Sequence, residues 1–454
     1  MSFTRRQILG GLVGLGVVGL GAGGARYWLG RSLDAKTHDY ELIAAPLDLE
    51  LVSGHVTPAW AYGGQAPGLE LRSRQGDWLR VRFINKLDEP TTIHWHGIRL
   101  PLEMDGVPYV SQLPVLPGEY FDYRFRTEDA GSFWYHPHLS SAEQLGRGLV
   151  GPLIVEEREP SGFRHERVLS LKTWHVDEEG AFTQFSVPRE AAREGTRGRL
   201  TTINGKPAPT LELPAGQVVR LRLLNLDNTV TYRLNMPGAE VRIYSLDGHP
   251  VAPRDLGKEY WLGPGMRIEL ALKVPAAGQE LPLRNGPLRL ATLKSVATEE
   301  AAGDWPPALP ANPVPEPDLE KAETLSFKFE WAATLTSAAG RPSNYWQING
   351  KAWDIQDKTC ADRPIATLKK NGHYIFELRN MAQYLHPIHL HGMAFKVIDS
   401  DRKAIIPYFT DTYLLGKNET ARIALVADNP GVWMFHCHVI DHMETGLMAA
   451  IEVA

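Results

Sequence analysis

An alternation of hydrophobic and polar positions recurs three times along the chain. The three copies are Leu79-Arg-Val-Arg-Phe-Ile-Asn85, Val219-Arg-Leu-Arg-Leu-Leu-Asn225 and Tyr374-Ile-Phe-Glu-Leu-Arg-Asn380. Apolar and charged residues alternate with a period of two, which predicts a half-buried β-strand in each copy. The copies start 140 and 155 residues apart, and this spacing predicts three copies of one β-domain in tandem.

These copies also set the predicted domain boundaries. We expect the first domain at residues 40–157, the second at 162–298 and the third at 321–454. Residues 299–320 are acidic and contain six prolines, which predicts an extended linker. Few stretches have the period of a helix, so the predicted fold class is all-β, with three packed β-sandwiches.

Residues 1–30 follow a different pattern. Arg5 and Arg6 precede a glycine-, leucine- and valine-rich stretch from about residue 10 to residue 24. An arginine pair before a weakly hydrophobic segment is typical of a twin-arginine export signal, and it predicts a periplasmic protein. A transmembrane anchor is the alternative, although the stretch is short and rich in glycine for a membrane span.

The composition of the 454 residues narrows the possible functions. The net charge is −5 and no basic block is present, which argues against a nucleic-acid partner. The two cysteines, Cys360 and Cys437, exclude a disulfide scaffold and a Cys₄ zinc site.

Ten of the 16 histidines cluster in the sequence. Four His-x-His pairs occur, and chance would give about half of one such pair: His94-Trp-His96, His136-Pro-His138, His389-Leu-His391 and His436-Cys-His438. His386 and His442 lie beside the last two pairs. Residues i and i+2 of a strand share a face, so each pair predicts two imidazoles that point into one site.

The pairs occupy matched positions in the first and third copies. Counted from the asparagine that closes each copy, His94 and His96 have the same offsets as His389 and His391. The middle copy has Leu234 and Met236 at these offsets. Eight paired imidazoles are too many for one zinc ion and predict a cluster of several first-row metal ions.

Cys437 predicts a second and separate metal site. It lies between His436 and His438, so its sulfur points to the opposite face of the strand. Together with His386 and His442 it forms a His₂Cys set, which is typical of an electron-transferring copper. The alternative to metal binding is that an isolated His pair has a structural role and a lone cysteine is a small buried hydrophobic residue. Four matched pairs argue against that interpretation. We assign no role to Cys360 or to the other six histidines.

With these motifs the chain resembles the three-domain multicopper oxidases of the laccase and cuprous-oxidase type. The resemblance covers about residues 40–454 and is carried by His94-Trp-His96-Gly97, Trp134-Tyr-His136-Pro-His138, His386-Pro-Ile-His389-Leu-His391-Gly392 and His436-Cys-His438-Val-Ile-Asp-His442-Met-Glu-Thr-Gly-Leu447. It implies cupredoxin-like Greek-key domains, with the metal cluster between the first and third. The signal segment and the C-terminal end are similar to the CumA type, which is associated with manganese oxidation.

The resemblance implies four copper ions. His386, Cys437 and His442 would hold the type 1 copper, and His94 and His389 the type 2 copper. The type 3 pair would be held by six histidines: His96, His136, His138, His391, His436 and His438. Leu447 stands at the axial position of the type 1 site, unless a shift of one residue brings Met448 there. Asp105 and Glu444 are the candidate proton-relay residues; for Asp105 the alternative is a turn residue before Gly106.

The implied activity is one-electron oxidation of a small reductant, coupled to four-electron reduction of O₂ to water. The reductant would be a phenolic or other aromatic compound, or a metal ion such as Mn(II). Cu(I) is less favoured because the nine methionines form no methionine-rich run. We expect a monomer that is exported by the twin-arginine machinery. The alternatives are a periplasmic copper-binding protein and a structural cupredoxin protein without turnover.

Overall fold

A computed structural model describes residues 35–332 and 344–454 of the chain. The predicted export signal at residues 1–30 lies outside the described residues. Within them the protein is built from β-strands, with only a few short helices. In this part of the chain no helix has the length and apolar character needed to cross a membrane.

Residues 37–156 form two four-stranded sheets with the orders β2-β1-β4-β6 and β3-β8-β7-β5. The strands are β1 (Thr37–Val52), β2 (His55–Tyr62), β3 (Leu71–Arg74), β4 (Trp78–Asn85), β5 (His94–His96), β6 (Tyr120–Arg126), β7 (Gly131–His136) and β8 (Gly151–Glu156). A 3₁₀-helix covers Leu102–Met104 and helix α1 covers Ser141–Arg147.

Residues 165–296 form a six-stranded and a five-stranded sheet, with the orders β10-β9-β12-β17-β14-β15 and β11-β19-β18-β13-β16. The strands are β9 (His165–Trp174), β10 (Leu200–Ile203), β11 (Thr210–Pro214), β12 (Val218–Asn225), β13 (Tyr232–Asn235), β14 (Glu240–Leu246), β15 (His249–Asp255), β16 (Tyr260–Leu262), β17 (Arg267–Lys273), β18 (Glu280–Asn285) and β19 (Leu288–Val296). Helix α2 covers Pro188–Ala191.

The last described part also forms two sheets, with the orders β21-β20-β23-β28-β25-β26 and β22-β30-β29-β24-β27. The strands are β20 (Glu323–Trp331), β21 (Trp346–Ile348), β22 (Ala366–Leu368), β23 (His373–Asn380), β24 (His386–Leu390), β25 (Phe395–Ser400), β26 (Tyr408–Thr410), β27 (Thr412–Leu415), β28 (Thr420–Val426), β29 (Gly431–Cys437) and β30 (Met448–Val453). A 3₁₀-helix covers Cys360–Asp362 and helix α3 covers Ile440–Glu444.

The three repeated segments are strands β4, β12 and β23, which confirms the strand prediction. Each pairs in parallel with the first strand of its own part of the chain: β1 with β4, β9 with β12 and β20 with β23. The same pairing thus recurs three times, as expected for a repeated all-β unit with a cupredoxin-like fold. Residues 299–320, the predicted linker, contain no helix or strand.

The prediction of a half-buried strand is wrong for β12. Strand β4 alternates between buried and more exposed positions, but every residue of β12 is buried. Arg220 and Arg222 are each 1% exposed. Both pair with the buried carboxylate of Glu269, and this pairing makes the burial of two charges possible.

The strand pairings bring the histidine motifs together. His94 of β5 lies opposite His136 of β7. On β24 and β29, His389 lies opposite His436. Leu234 and Met236, which replace the histidines in the middle copy, pack in the apolar core of that part of the chain.

Candidate metal centres

One candidate centre is formed by Cys437 at the end of β29, His386 at the start of β24 and His442 in helix α3. All three side chains are fully buried. The sulfur of Cys437 lies 3.5 Å from Nδ1 of His386 and 3.6 Å from Nδ1 of His442. The two Nδ1 atoms are 3.1 Å apart. Two imidazole nitrogens and one sulfur therefore converge on a single point.

The chemistry of this donor set fits a soft cation. Nε2 of His442 donates a hydrogen bond to the carbonyl of Arg193, at 2.8 Å, so its Nδ1 is left with a lone pair. Burial lowers the pKa of His442 to about 3, which keeps the ring neutral. Burial raises the pKa of the Cys437 thiol, so a thiolate at this position needs a cation beside it.

The second candidate centre gathers the eight paired histidines, all buried. Four come from β5, β7 and the residues after β7, and four from β24, β29 and the residues after each. Their ligand atoms form three groups, in each of which the atoms lie within 4.8 Å of one another. The groups are His96, His136 and His438; His138, His391 and His436; and His94, His96 and His389.

Hydrogen bonds on the outer sides of the rings leave lone pairs that face inwards. His391 and His436 donate through Nδ1 to the Asp105 carboxylate and the Cys437 carbonyl, each at 2.9 Å. Their Nε2 atoms, both lone-pair acceptors, then face each other at 3.1 Å. Two acceptors at this distance repel unless a cation lies between them. Other inward nitrogens have no hydrogen-bonding partner among the described residues: Nε2 of His94, His136, His138, His389 and His438, and Nδ1 of His96.

The charge state of the rings also suits metal binding. Burial, together with the neighbouring imidazoles, lowers the pKa of seven of these histidines: His96, His136, His138, His389, His391, His436 and His438. Neutral imidazole is the form that coordinates a metal ion. The cluster therefore presents neutral nitrogen donors to a common interior.

Asp105 contacts the cluster directly. Its backbone carbonyl accepts a hydrogen bond from Nδ1 of His94 at 2.9 Å, and its Oδ2 accepts from Nδ1 of His391. It follows the 3₁₀-helix at Leu102–Met104 and is 1% exposed. One residue of the first part of the chain therefore orients a histidine from each half of the cluster.

Asp411, which no sequence motif marks, contacts the cluster from the other side. Its carbonyl accepts from Nδ1 of His389 at 2.9 Å, and its Oδ1 lies 3.2 Å from Nε2 of His96. Arg267 binds both carboxylate oxygens, at 2.8 and 2.6 Å. Burial acts to raise the pKa of Asp411, but the Arg267 charge holds it well below its usual value.

Comparison with known proteins places these two centres in a family. Two family models, both described as multicopper oxidase, match residues 48–160 and 332–454. The curated protein MmcO, a multicopper oxidase of Mycobacterium tuberculosis, is 27% identical over 99% of this chain and 96% of its own length. The multicopper oxidase Mco of Staphylococcus aureus is 28% identical, over 91% of this chain and 88% of its own.

A solved structure decides the assignment. The multicopper oxidase of Pseudomonas thermotolerans is 81% identical, with a TM-score of 0.89, over 93% of this chain and all of that one. The chain belongs to the multicopper oxidase family. Like its relatives it is a copper-dependent oxidoreductase that uses O₂ as electron acceptor, so the predicted resemblance to the multicopper oxidases is confirmed.

Glu444 of the oxidase lies on a cavity of about 650 Å³ whose lining also includes His138 of the cluster. Its side chain is partly buried and accepts a hydrogen bond from the backbone N–H of Ala142 at 3.0 Å. Burial raises the pKa of Glu444 to about 7, and the charge of Asp441 adds to this effect. The cavity thus joins a proton-holding group to the histidine cluster.

Leu447 and Met448, the two candidates for the axial position, lie in different apolar groups of the oxidase. Leu447 is fully buried in the core cluster that contains Cys437, and its carbonyl accepts from the Cys437 N–H at 3.0 Å. Met448 lies opposite His436 across β29 and β30. It packs with Met434 and Met443 and lines the cavity at Glu444.

The structure brings all the predicted metal-site histidines and Cys437 into these two centres. One detail of the prediction is wrong, because only the His94–His96 pair lies wholly within a strand. The other pairs extend past the ends of β7, β24 and β29. Three residues could not be found from a sequence motif: Arg193 and Asp411, described above, and Trp346, whose ring packs against His386 and His442.

Proposed function

We propose that this oxidase holds four copper ions: a type 1 ion at His386, Cys437 and His442, a type 2 ion at His94 and His389, and a type 3 pair at the remaining six histidines. One observation carries the proposal. Cys437 Sγ faces two Nδ1 atoms, while the residues on either side of it, His436 and His438, belong to the histidine cluster. A one-electron site and a multi-metal site are thereby one residue apart along β29.

Copper bound at these sites supplies the redox chemistry, in which four single electrons from a reductant convert O₂ and four protons to two waters. The chain fixes the geometry for it. Hydrogen bonds from His94 and His391 to Asp105 set which nitrogen of each ring points inwards. The backbone from Cys437 to its two neighbours gives the short covalent connection between the centres.

Asp105 and Glu444 are the residues we assign to proton handling. Asp105 reaches two histidines of the cluster, and Glu444 lies with His138 on the cavity described above. A carboxyl group with a pKa of about 7 holds and releases a proton near neutral pH. Glu444 therefore suits the delivery of protons from the cavity towards the cluster.

The reductant we favour is a phenolic or other aromatic compound. The surroundings of His386 and His442 are aromatic, since Trp346 packs against both rings. Asp441 and Glu444 are the two carboxylates that could have served Mn(II). Asp441 is buried and accepts a hydrogen bond from the Thr196 N–H, and Glu444 accepts one from the Ala142 N–H. A Campylobacter jejuni relative, 25% identical with a TM-score of 0.78, is described as a metallo-oxidase, so Mn(II) and Cu(I) belong in the test.

We further propose that the protein is a monomer, exported to the periplasm by the twin-arginine machinery. The arginine pair at Arg5 and Arg6 and the glycine-rich segment after it support this route. That route carries folded proteins, which suits a chain whose metal sites form only on folding.

Replacement of Cys437 tests the proposed function. In the copper-loaded protein, Cys437→Ser should lose the blue colour, one equivalent of copper and O₂ uptake with every reductant, while far-ultraviolet circular dichroism stays unchanged. Cys360→Ser is the matched control, because Cys360 is half-buried and its sulfur contacts Asp354 and Arg363, which belong to neither centre, and it should behave as the wild type. Uptake is measured with hydroquinone, Mn(II) and Cu(I). Retention of O₂ uptake by Cys437→Ser would refute the assignment.

A further inference from the structure

Trp346, on β21, covers the two histidines of the Cys437 centre. Its ring centroid lies 4.5 Å from that of His442 and 4.9 Å from that of His386. The indole is fully buried, and its Nε1 donates to the carbonyl of Ala191 at 2.9 Å. The ring is therefore held in one orientation against both imidazoles.

Neither histidine offers an edge to solvent. His386 and His442 are both 0% exposed. The outer nitrogen of His442 is occupied by its hydrogen bond to the carbonyl of Arg193. A reductant in solution cannot touch either ring, so an electron must reach this centre through an intervening group.

Trp331 and Tyr384 extend the aromatic contact outwards. Trp331 lies opposite Trp346 across β20 and β21, with ring centroids 5.8 Å apart and planes at 86°. The ring centroid of Tyr384 lies 6.1 Å from that of Trp346. It lies 6.3 Å from that of Trp331, and the planes of these two rings differ by only 5°. Trp331 is 47% exposed. Adjacent rings thus lead from the surface to the buried histidines.

We propose that Trp331 is the docking site for aromatic reductants and that electrons pass from it through Trp346 to the copper held by His386, Cys437 and His442. The proposal rests on the proposed function and adds the site of electron uptake. Each step removes one electron from the reductant, and both indoles end in the state in which they began. For a phenol, the hydroxyl proton passes to water at the exposed face of Trp331.

A purely structural role for the Trp331–Trp346 pair predicts a different result. Cross-strand aromatic pairs stabilise sheets, so the loss of Trp331 would then lower stability without changing electron uptake. Trp261 provides a matched control, since it is 42% exposed but packs on Arg233 and Glu259 in the middle part of the chain. The comparison therefore uses Trp331→Leu, Trp331→Phe and Trp261→Leu.

The first measurement needs no copper. In the copper-free protein hydroquinone cannot be turned over, and its binding is followed by quenching of indole fluorescence. We expect Trp331→Leu to weaken this binding by about threefold to tenfold, the cost of losing one aromatic contact. Trp331→Phe should bind nearly as well as the wild type, and Trp261→Leu should be unchanged.

The second measurement follows bleaching of the blue colour by hydroquinone in copper-loaded protein without O₂. Trp331→Leu should bleach several-fold more slowly, with an unchanged reduction potential, and Trp331→Phe should bleach as slowly although it still binds, because a phenyl ring is far harder to oxidise than an indole. Equal rates in all four proteins, or equal binding, would overturn the relay and leave the proposed function standing. A wild type that shows no blue colour when loaded would overturn the proposed function itself.

Discussion

Leu447 is a fully buried aliphatic side chain in the core cluster that contains Cys437. An axial thioether tunes the potential of a His₂Cys copper, and an aliphatic residue withholds that ligand. We predict that Leu447→Met lowers the type 1 reduction potential and slows oxidation of phenols. The two side chains have similar volumes, so the unfolding free energy should change by less than about 1.5 kcal/mol. A redox titration of the blue absorption measures the potential.

Met448→Leu is the matched control for this prediction. Met448 packs with Met434 and Met443 on the cavity side of β30, so its thioether should have no influence on the blue copper. We expect the potential of Met448→Leu to equal that of the wild type. A lower reduction potential in Leu447→Met, together with an unchanged potential in Met448→Leu, supports Leu447 as the axial residue. The reverse result assigns the axial position to Met448.

Asp105 orients two imidazoles of the cluster, one from each side. Asp105→Ala removes the acceptor for Nδ1 of His391, so that ring is free to turn or to change tautomer. Loss of such a partner costs about 10-fold to 100-fold in metal affinity or activity. We predict that Asp105→Ala loses copper from the cluster by this factor during dialysis against a chelator. The blue colour of the Cys437 centre should remain. Asp105→Asn preserves the acceptor oxygen and should retain copper better than Asp105→Ala; equal loss in the two variants would contradict the orienting role.

The residues of the two candidate metal centres could be predicted from the sequence because their spacing in the chain is typical of metal ligands. His436, Cys437 and His438 are neighbours in the chain, and their repeat-matched partners stand at fixed offsets. Asp411 and Trp346 could not be predicted, because their importance comes from partners far away in sequence, such as Arg267 and His442. A single aspartate or tryptophan in a β-strand pattern is compatible with many surroundings, and only the fold selects one.

At the scale of the strand, the pattern of polar residues is misleading wherever a charge is buried. Arg220 and Arg222 on β12 indicated an exposed face, but both meet Glu269 inside the protein. Lys172 on β9 is a sharper case. It is 0% exposed, lies 5.1 Å from the Trp174 ring and has no hydrogen-bonding partner among the described residues. Periodicity predicts strands well, but it does not show which polar side chains find partners inside.

Lys172 gives a prediction about stability. Burial lowers the pKa of Lys172 from 10.5 to about 8, and the charge of Asp227 opposes this only in part. The unfolded chain therefore binds the proton more tightly, and stability rises as pH increases from about 8 to 10.5. Below pH 8 the buried Lys172 is charged, so the folded state bears the full free-energy cost of burying that charge. We predict that Lys172→Met raises the unfolding free energy at pH 7 by about 2 kcal/mol, with the gain fading towards pH 10.

Urea unfolding at pH 7 and pH 10 measures this difference. Lys206→Met changes an exposed lysine just after β10 and should stay within about 0.5 kcal/mol of the wild type at both values. If Lys172→Met is instead less stable at pH 7, the contact of the ammonium group with the Trp174 ring outweighs the cost of burying its charge.

At the scale of the whole molecule, Arg267 connects the histidine cluster to the middle part of the chain, whose described residues belong to neither candidate centre. Its guanidinium binds Asp411 on both oxygens, and it also donates to the carbonyls of Ser132 and Asp247. One buried side chain on β17 thereby contacts residues of all three parts. The sequence could not predict this role, since an arginine at the start of a strand normally indicates an exposed position.

Replacement of Arg267 should therefore affect the cluster and spare the Cys437 centre. Arg267→Met leaves the buried carboxyl groups of Asp411 and Asp247 without their cation, which costs about 3–5 kcal/mol of unfolding free energy. It also loosens the support of His96 and His389, so copper content and O₂ reduction should fall while the blue colour persists. Arg233→Gln, which breaks an exposed pair with Glu259, is the control and should cost no more than about 1 kcal/mol. Adding Asp411→Asn to Arg267→Met removes the charge of Asp411 and should recover part of the stability but not the O₂ reduction, because the guanidinium that holds residue 411 against His96 and His389 is still missing. If the double variant recovered both the stability and the O₂ reduction, Arg267 would act only by neutralising Asp411.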